Sequence, residues 1–341
     1  MANLQALESG DLYTVGWISA LPLELAAATA MLDDEHDTLT DFKRSPSDQN
    51  VCSFGRIGEH NLVIASLPAG VYGTISAAIT AQQMLSSFPN IRIGLMVGIG
   101  AGIPNPEEYD IRLGDVVVSQ PDGTCGGVVQ YDLGKAKADG SFQRKGILNQ
   151  PPPALLKALA KLKARHIKVA SKISLYVDKM LEQYPLMKKQ RPKTPSYMYQ
   201  GVDHDKLFEP TYLHKGGPSC TVCEKASEIT RDARDSTDPE IHYGVIASGD
   251  TLVKNAVRRD ELVKGTGEEC ICFEMEAAGI MNTFPCVVIR GICDYADSHK
   301  NDRWQGYAAA TAAAYAKELL EVIPCADLQH TEKAIKVLNE G

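Results

Sequence analysis

The stretch CICFEMEAAGIMNTFPCVVIRGICDYADSHKN, residues 270–301, decides how this chain is read. It places two acids, Glu276 and Asp294, at the ends of a helix-turn-strand unit, with Arg290 just before the second acid. By composition FEMEAAGIMNTF reads as helix and FPCVVIRGICDYAD as a buried strand running out into a polar loop. Carboxylates are costly to bury unless they are paired or hydrogen-bonded, so acids framed by Ala, Met, Ile and Val need a reason to be there.

Working outward, HYGVIASGDTLVKN reads as a strand with a turn at Ser248, Gly249 and Asp250, and RRDELVKGTG as a polar helix. Downstream, AAATAAAYAKELLEVI is a long alanine-rich helix, and the tail from Pro324 reads as a short helix or the start of a linker. At the other end, LYTVGWISAL from Leu12 is a buried strand, and Pro22 opens a helix in its first turn. Glu24 then sits at a strand-to-helix corner, where ligands bind in α/β sheets. It could equally do no more than complement the helix dipole.

After a polar loop over residues 33–50, NLVIASLP is another strand, followed by a helix opened by Gly70 and Gly73. IRIGLMVGIGAGIP reads as a strand running into a glycine-rich turn at Gly98, Gly100 and Gly102. Backbone amides in such a turn can cradle an anion or a sugar. A dinucleotide fingerprint would need a helix immediately afterwards, and Pro104, Asn105 and Pro106 stand there instead. LGDVVVSQP and GGVVQYDLGK add strands without intervening helices, so the sheet is expected to be mixed and to curl toward a barrel. The fold class expected is three-layer α/β/α with a central mixed, partly barrel-like sheet. Residues 1–11 are expected to be a flexible N-terminus, 12–325 one domain with a helical basic insertion at about 135–240, and 326–341 a tail or linker.

The chain has 341 residues, 44% of them apolar, enough to bury a substantial core. A formal charge of −8 argues against nucleic acid as a partner over the whole surface, since phosphate backbones demand basic faces. The longest apolar run, around residues 93–103, is too short and glycine-rich to span a bilayer. Nine cysteines at irregular spacing, several inside apolar runs, point to a reducing, cytoplasmic setting. Against the acidic whole, Pro151 to Lys193 carries eleven Lys or Arg and only two acids, Asp178 and Glu182. Its two helices are either a solvated face or a basic rim that attracts a phosphorylated substrate or a partner protein. Cys220 and Cys223 form a CxxC six residues after His214. One CxxC lacks a second ligand pair at standard zinc spacing, so packed or free thiols, and no metal, are expected.

Acids beside a glycine-lined site suit cleavage of a glycosidic bond, which needs an acid for the leaving group and stabilisation of a cationic sugar. At this point the motifs carry a likeness. From about Tyr13 to Ile323 the chain resembles the nucleoside phosphorylase and nucleosidase superfamily, least so over residues 135–240. FEMEAAG, RGICDYADSHKN, IHYG and IASGD are similar to motifs of the fungal phosphorylase-like domains found at the front of NACHT or ankyrin-repeat proteins. The resemblance implies that Glu276 clamps the ribose hydroxyls, that Met275 packs against the sugar, and that Asp294 donates a proton to purine N7. Cys293 stands where related bacterial nucleosidases have serine, so the hydrogen bond orienting the acid is expected to be weaker. By the same match Gly98, Ile99, Gly100 and Ala101 border the sugar. Ser248, Leu252, Val253 and Lys254 lie near the base, Leu252 standing where relatives have an aromatic ring.

The nucleophile separates two activities. Related phosphorylases place arginines at the first corner and just before the glycines, whereas this chain has Glu24, and Met96 with Val97. Glu24 falls where methylthioadenosine/S-adenosylhomocysteine nucleosidases keep the glutamate that activates water, and Arg290 matches an arginine of those nucleosidases and is expected to hold Glu24 or Glu276 ionised. Hydrolysis of an adenine nucleoside or nucleotide, ATP included, is therefore expected, with Lys254, Arg258 and Arg259 available to phosphates. A phosphate-using phosphorylase and a non-catalytic nucleotide-sensing module are the alternatives. The chemistry calls for no cofactor. The partners expected are a small purine substrate, water and further copies of the chain in a homo-oligomer, with neither nucleic acid nor membrane.

Overall fold

The computed structural model describes residues 7–39, 44–106, 108–138, 142–191, 193–217 and 219–336. The elements in order are β1 (Val15–Ser19), α1 (Pro22–Ala30), β2 (Asp34–His36), β3 (Cys52–Ile57), β4 (His60–Ser66), α2 (Thr74–Ser87), β5 (Ile93–Gly102) and β6 (Val116–Ser119). They continue as β7 (Val128–Gln130), β8 (Gly134–Ala136), β9 (Phe142–Arg144), α3 (Pro153–His166), α4 (Ile173–Gln183), β10 (Ile241–Ser248) and α5 (Ala256–Thr266). The chain ends with β11 (Cys270–Glu274), α6 (Ala277–Ile280), β12 (Cys286–Asp294), α7 (Gln305–Glu321) and α8 (Cys325–Gln329).

The main sheet runs β11-β10-β6-β12-β5-β1-β4-β3-β2, with β7 beside β10. Strand β11 also pairs antiparallel with β5, through Cys272 opposite Gly102 and Phe273 opposite Ala101. This second pairing closes β11, β10, β6, β12 and β5 into a ring, and the remaining strands extend as an open wing. The sheet is thus mixed and partly a barrel. Its central strands are buried along their whole length, β12 without a break from Cys286 to Asp294, which is why they read as unbroken apolar runs.

Helices α1 and α7 cover one face, and α2 and α6 the other. Close approach decides the α7 side: a Cβ on Gly291 of β12 would lie 1.8 Å from the carbonyl oxygen of Ala308. Only glycine beneath an alanine-rich helix lets the two backbones meet. The basic helices α3 and α4 pack outside α7 and form a further row on that face. Their buried stripes, such as Leu155, Leu159 and Leu162 or Tyr176, Val177 and Met180, explain the helical spacing.

Three expectations need correction. The glycines at 98, 100 and 102 are not a turn, because β5 continues through Gly102 between β12 and β1 before crossing to β11. FEMEAAG is not helical throughout: Phe273 and Glu274 end strand β11, and helix α6 begins only at Ala277. Pairing with two neighbouring strands overrides the helical propensity of Glu, Met and Ala here. GGVVQYDLGK is two strands, β7 in the main sheet and β8 in a separate hairpin with β9. The predicted flexible N-terminus falls largely on residues 1–6 and the end of the tail on 337–341, outside the described residues. Within the tail, α8 is a helix. No helix among the described residues is long and apolar enough to cross a membrane. All nine cysteines are free.

Candidate active site

A cavity of about 270 Å³ opens where the strands of the ring end. Glu24, Ile99, Gly100, Ala101, Leu252, Val253, Lys254, Met275, Glu276 and Asp294 all line it. Sequence segments from the first helix, β5, the loop after β10, the β11–α6 corner and the end of β12 thus converge on one hollow. Tyr72, Thr251, Phe273, Glu274, Cys293, Lys300, Asp302 and Gln305 complete much of the wall.

Glu24 is the third residue of α1, and its carboxylate turns back over the helix start. Oε2 accepts from the backbone N–H groups of Ala20 at 2.7 Å and Leu21 at 2.9 Å, and Oε1 accepts from Ile99 at 2.8 Å. These bonds satisfy amides that a helix start leaves unpaired. The side chain also ties α1 to β5. Burial pushes the Glu24 carboxyl above its ordinary range, against the opposing pull of Arg290 and the three amides.

Arg290 is fully buried behind the cavity wall. It donates to Glu274 through a short charge-assisted bond, to Glu276 Oε2 at 3.3 Å and weakly to the Ile99 carbonyl at 3.4 Å. Its Nε has no acceptor. The register places Arg290 opposite Gly98, and a Cβ on Gly98 would lie 2.4 Å from Glu24 Oε1 and 2.5 Å from Arg290 Nη1. Glycine at 98 is therefore what lets Glu24 and the guanidinium share one space.

Glu274 was not singled out in the sequence. It accepts from the backbone N–H groups of Glu276 at 3.0 Å and Ala277 at 3.0–3.1 Å, capping α6, while it pairs with Arg290. Three carboxylates thus surround one guanidinium. Burial, then the neighbouring charges of Glu274 and Glu24, push the Glu276 carboxyl up to about 8 against the attraction of Arg290. The signal that could have found Glu274 is the spacing in FEME: two glutamates two residues apart at a strand end fall on one face, and both line the cavity.

Asp294 ends β12. Its Oδ1 accepts from the Ala296 amide at 2.9 Å, and its Oδ2 meets Lys300 Nζ at 2.8 Å and the Cys293 thiol at 3.2 Å. Cys293 does point its donor at the acid, as the serine match implied, with a thiol as the weaker donor. Lys300 was not anticipated, because its approach depends on the turn at Ala296, whose φ is +51°.

Gly98, Arg290 and Ser248 stand behind the wall. Ser248 Oγ accepts from the Ala278 amide at 2.8 Å and so fixes α6. Asp250, in the same turn, accepts from the Thr74 amide and hydroxyl at 2.8 Å and fixes the start of α2. Arg259 is buried and bound to Asp260 and to the Tyr295 carbonyl, both at 2.8 Å, so it is not available to a phosphate. Arg258 pairs with Glu261 at 3.0 Å. The basic helices contribute no lining residue. Lys161 and Lys163 of α3 are spent on the Val322 carbonyl and the Gln120 side chain. The basic-rim reading of the insertion is overturned for this cavity.

No family model matches the sequence. The chain is 46% identical over 311 residues to a nucleotide-binding leucine-rich repeat (NLR)-like protein of Hyaloscypha variabilis, covering 91% of this chain and 29% of that one. It is 24% identical over 325 residues to the ATP nucleosidase Cap17 of Escherichia coli, covering 89% of this chain and 50% of the relative. The chain thus spans half or less of the curated relatives it matches. Among solved structures, a 5'-methylthioadenosine/S-adenosylhomocysteine nucleosidase from Neisseria meningitidis superposes with a TM-score of 0.55 at 19% identity, over 91% of this chain and 99% of that one. Futalosine hydrolase of Helicobacter pylori gives 0.54 at 19% identity, over 91% and 98%. In fold the chain is similar to these nucleosidases and hydrolases.

Proposed function

We propose that the chain is a purine N-ribosyl hydrolase acting on an adenine nucleoside or nucleotide. One observation carries the reading: Glu24, Glu276 and Asp294, buried acids from three separate strand ends, open into a single cavity that the buried Glu274 also lines. A buried excess of acid is costly, and carboxyls perturbed as those of Glu24 and Glu276 are cluster at functional sites.

The roles are those that the family resemblance implies, for side chains that this cavity brings together. Asp294, protonated from solvent in the substrate complex, gives that proton to N7 of the base and returns to the carboxylate that Lys300 pairs with, as the C1'–N9 bond breaks with its electrons leaving on the base. Positive charge then develops on the ribose ring. Glu276 accepts from the ribose hydroxyls, and Met275 packs on the sugar. Water adds to C1' as Glu24 takes its proton, for which a carboxyl raised above its ordinary range is suited. Arg290 works from behind, holding the acids in place without touching substrate. The cations in the wall are Lys254 and Lys300, and among the described residues no arginine lines the cavity. Two carboxylates facing the nucleophile's side favour water over phosphate.

A nucleotide is favoured over a nucleoside by Lys254, exposed on the cavity wall, and by the likeness to a relative named an ATP nucleosidase. Chromatography of reactions with ATP and with adenosine tests this. Adenine released from ATP is the expected result. Release from adenosine alone would retire the nucleotide while leaving the hydrolase.

A further inference from the structure

Away from the acids, the loop that follows β12 meets the insertion. The insertion brings His214, Cys220 and Cys223, and the loop brings His299. The donor atoms of His214, Cys223 and His299 all lie within 4.8 Å of one another. His214 Nδ1 is 3.5 Å from Cys223 Sγ and 3.9 Å from Cys220 Sγ. Tetrahedral zinc with bonds of about 2.0–2.3 Å places its ligand atoms roughly 3.3–3.8 Å apart, so these separations need little adjustment.

Both imidazoles are already oriented for a metal. His214 Nε2 faces the Gly217 carbonyl at 2.7 Å. A carbonyl only accepts, so Nε2 carries the proton and Nδ1 presents its lone pair to the sulfurs. His299 Nδ1 faces Asp297 Oδ2 at 3.3 Å, and its Nε2 is buried with no partner at all. A carboxylate on one ring nitrogen and a bare lone pair on the other is the arrangement that orients metal-bound histidines. The His299 ring is clamped by Phe208, stacked at 4.1 Å between centroids, and His214 meets it edge-on at 5.4 Å. A buried nitrogen left unpaired in so ordered a setting calls for a ligand.

We propose that His214, Cys220, Cys223 and His299 form a structural zinc site. The second ligand pair that the lone CxxC lacked comes from His214 in the insertion and His299 beyond β12. Two soft sulfurs and two imidazoles supply four protein ligands, the set that suits zinc in a closed tetrahedral site. Binding forms two Zn–S and two Zn–N bonds and releases the thiol protons to solvent. The ion pins the insertion to the loop that carries Lys300, and so steadies the segment after Asp294. The proposal is independent of the reaction assigned to the cavity.

Elemental analysis of the purified chain tests it. About one zinc per chain is expected, falling toward none in Cys223→Ser and in His299→Ala and unchanged in Cys325→Ser, which alters a cysteine elsewhere. Should those variants fail to fold, zinc-edge X-ray absorption on the wild-type chain decides: two sulfurs at about 2.3 Å and two nitrogens at about 2.0 Å are expected. Zinc-free wild-type protein, a zinc shell without sulfur, or thiol titration showing Cys220 and Cys223 joined as a disulfide would each overturn the site.

Discussion

Asp115 and Glu276 are both buried carboxylates beside strand ends, and their surroundings push them in opposite directions. Asp115 accepts from Arg234 through both oxygens at 2.8 Å, from His242 at 3.0 Å, and from the Arg112 and Glu240 amides at 2.8 and 3.0 Å. Burial would raise it, but His242 and Arg234 more than offset that and hold it below its ordinary range. Next to it Arg231 pairs with Asp205 at 2.9 Å, so cations and acids balance. Around Arg290 they do not. Glu24, Glu274 and Glu276 share one guanidinium, its Nε is unpaired, and Glu276 is pushed up to about 8. The first network holds the insertion to the barrel. The second keeps an electrostatic conflict that a fold alone has no use for, which is why we assign the proposed reaction centre to it.

The largest separation should come from neutralising one acid in each network. Glu24→Gln should cost about 10²- to 10⁴-fold in kcat with only a modest fall in melting temperature, because relief of the conflict is set against an NH2 that faces an N–H the carboxylate accepted from. Asp115→Asn should lower the melting temperature and leave kcat per folded molecule unchanged. Steady-state kinetics and thermal melts on both variants check this, and an equal loss of kcat per folded molecule in Asp115→Asn would erase the distinction.

Removing the cations comes next. Arg290→Met leaves three buried acids without a counter-charge and should cost about 3–5 kcal/mol, more at pH 8 than at pH 6. Arg234→Met should cost about 1–3 kcal/mol, because His242 and two amides still hold Asp115. Urea titrations read both. Gly98→Ala drives a methyl into Glu24 and Arg290 and should cost about 1–3 kcal/mol, with most activity lost.

The two networks should also fail at opposite ends of the pH scale. Between its ordinary value of 4.5 and about 8, Glu276 holds a proton in the folded chain that the unfolded chain releases. Its contribution therefore falls as pH rises through that window and is least favourable above 8. Glu276→Gln should flatten that slope in melts taken from pH 5 to 9. Asp115 is depressed, so its stabilisation is complete above its ordinary 3.8 and is lost as pH falls through its lower folded value. Asp115→Asn should remove that acid-side loss and leave the alkaline slope intact.

What the sequence disclosed follows the same division. The buried strands, α1, α2 and α7, and the acids Glu24, Glu276 and Asp294 were legible because each rests on a local pattern or a short motif. The glycines of β5 were misread as a turn because their purpose is long-range: Gly98 is glycine on account of Glu24 and of Arg290 on a neighbouring strand. Glu274 was hidden by the helical composition of FEMEAAG, and Lys300 by the positive φ of Ala296. The basic helices suggested a phosphate rim by composition, yet they pack outside α7 and line no part of the cavity. Charge counts do not reveal which face an insertion will occupy.

The central claim is that water, not phosphate, receives the ribose. It is tested by incubating the wild-type chain and Asp294→Asn with ATP and with adenosine in phosphate-free buffer, then again with phosphate added, and measuring free adenine. The account predicts adenine from the wild-type chain at the same rate in both buffers and almost none from Asp294→Asn. Release that appears only when phosphate is added, or binding without any release, would contradict it.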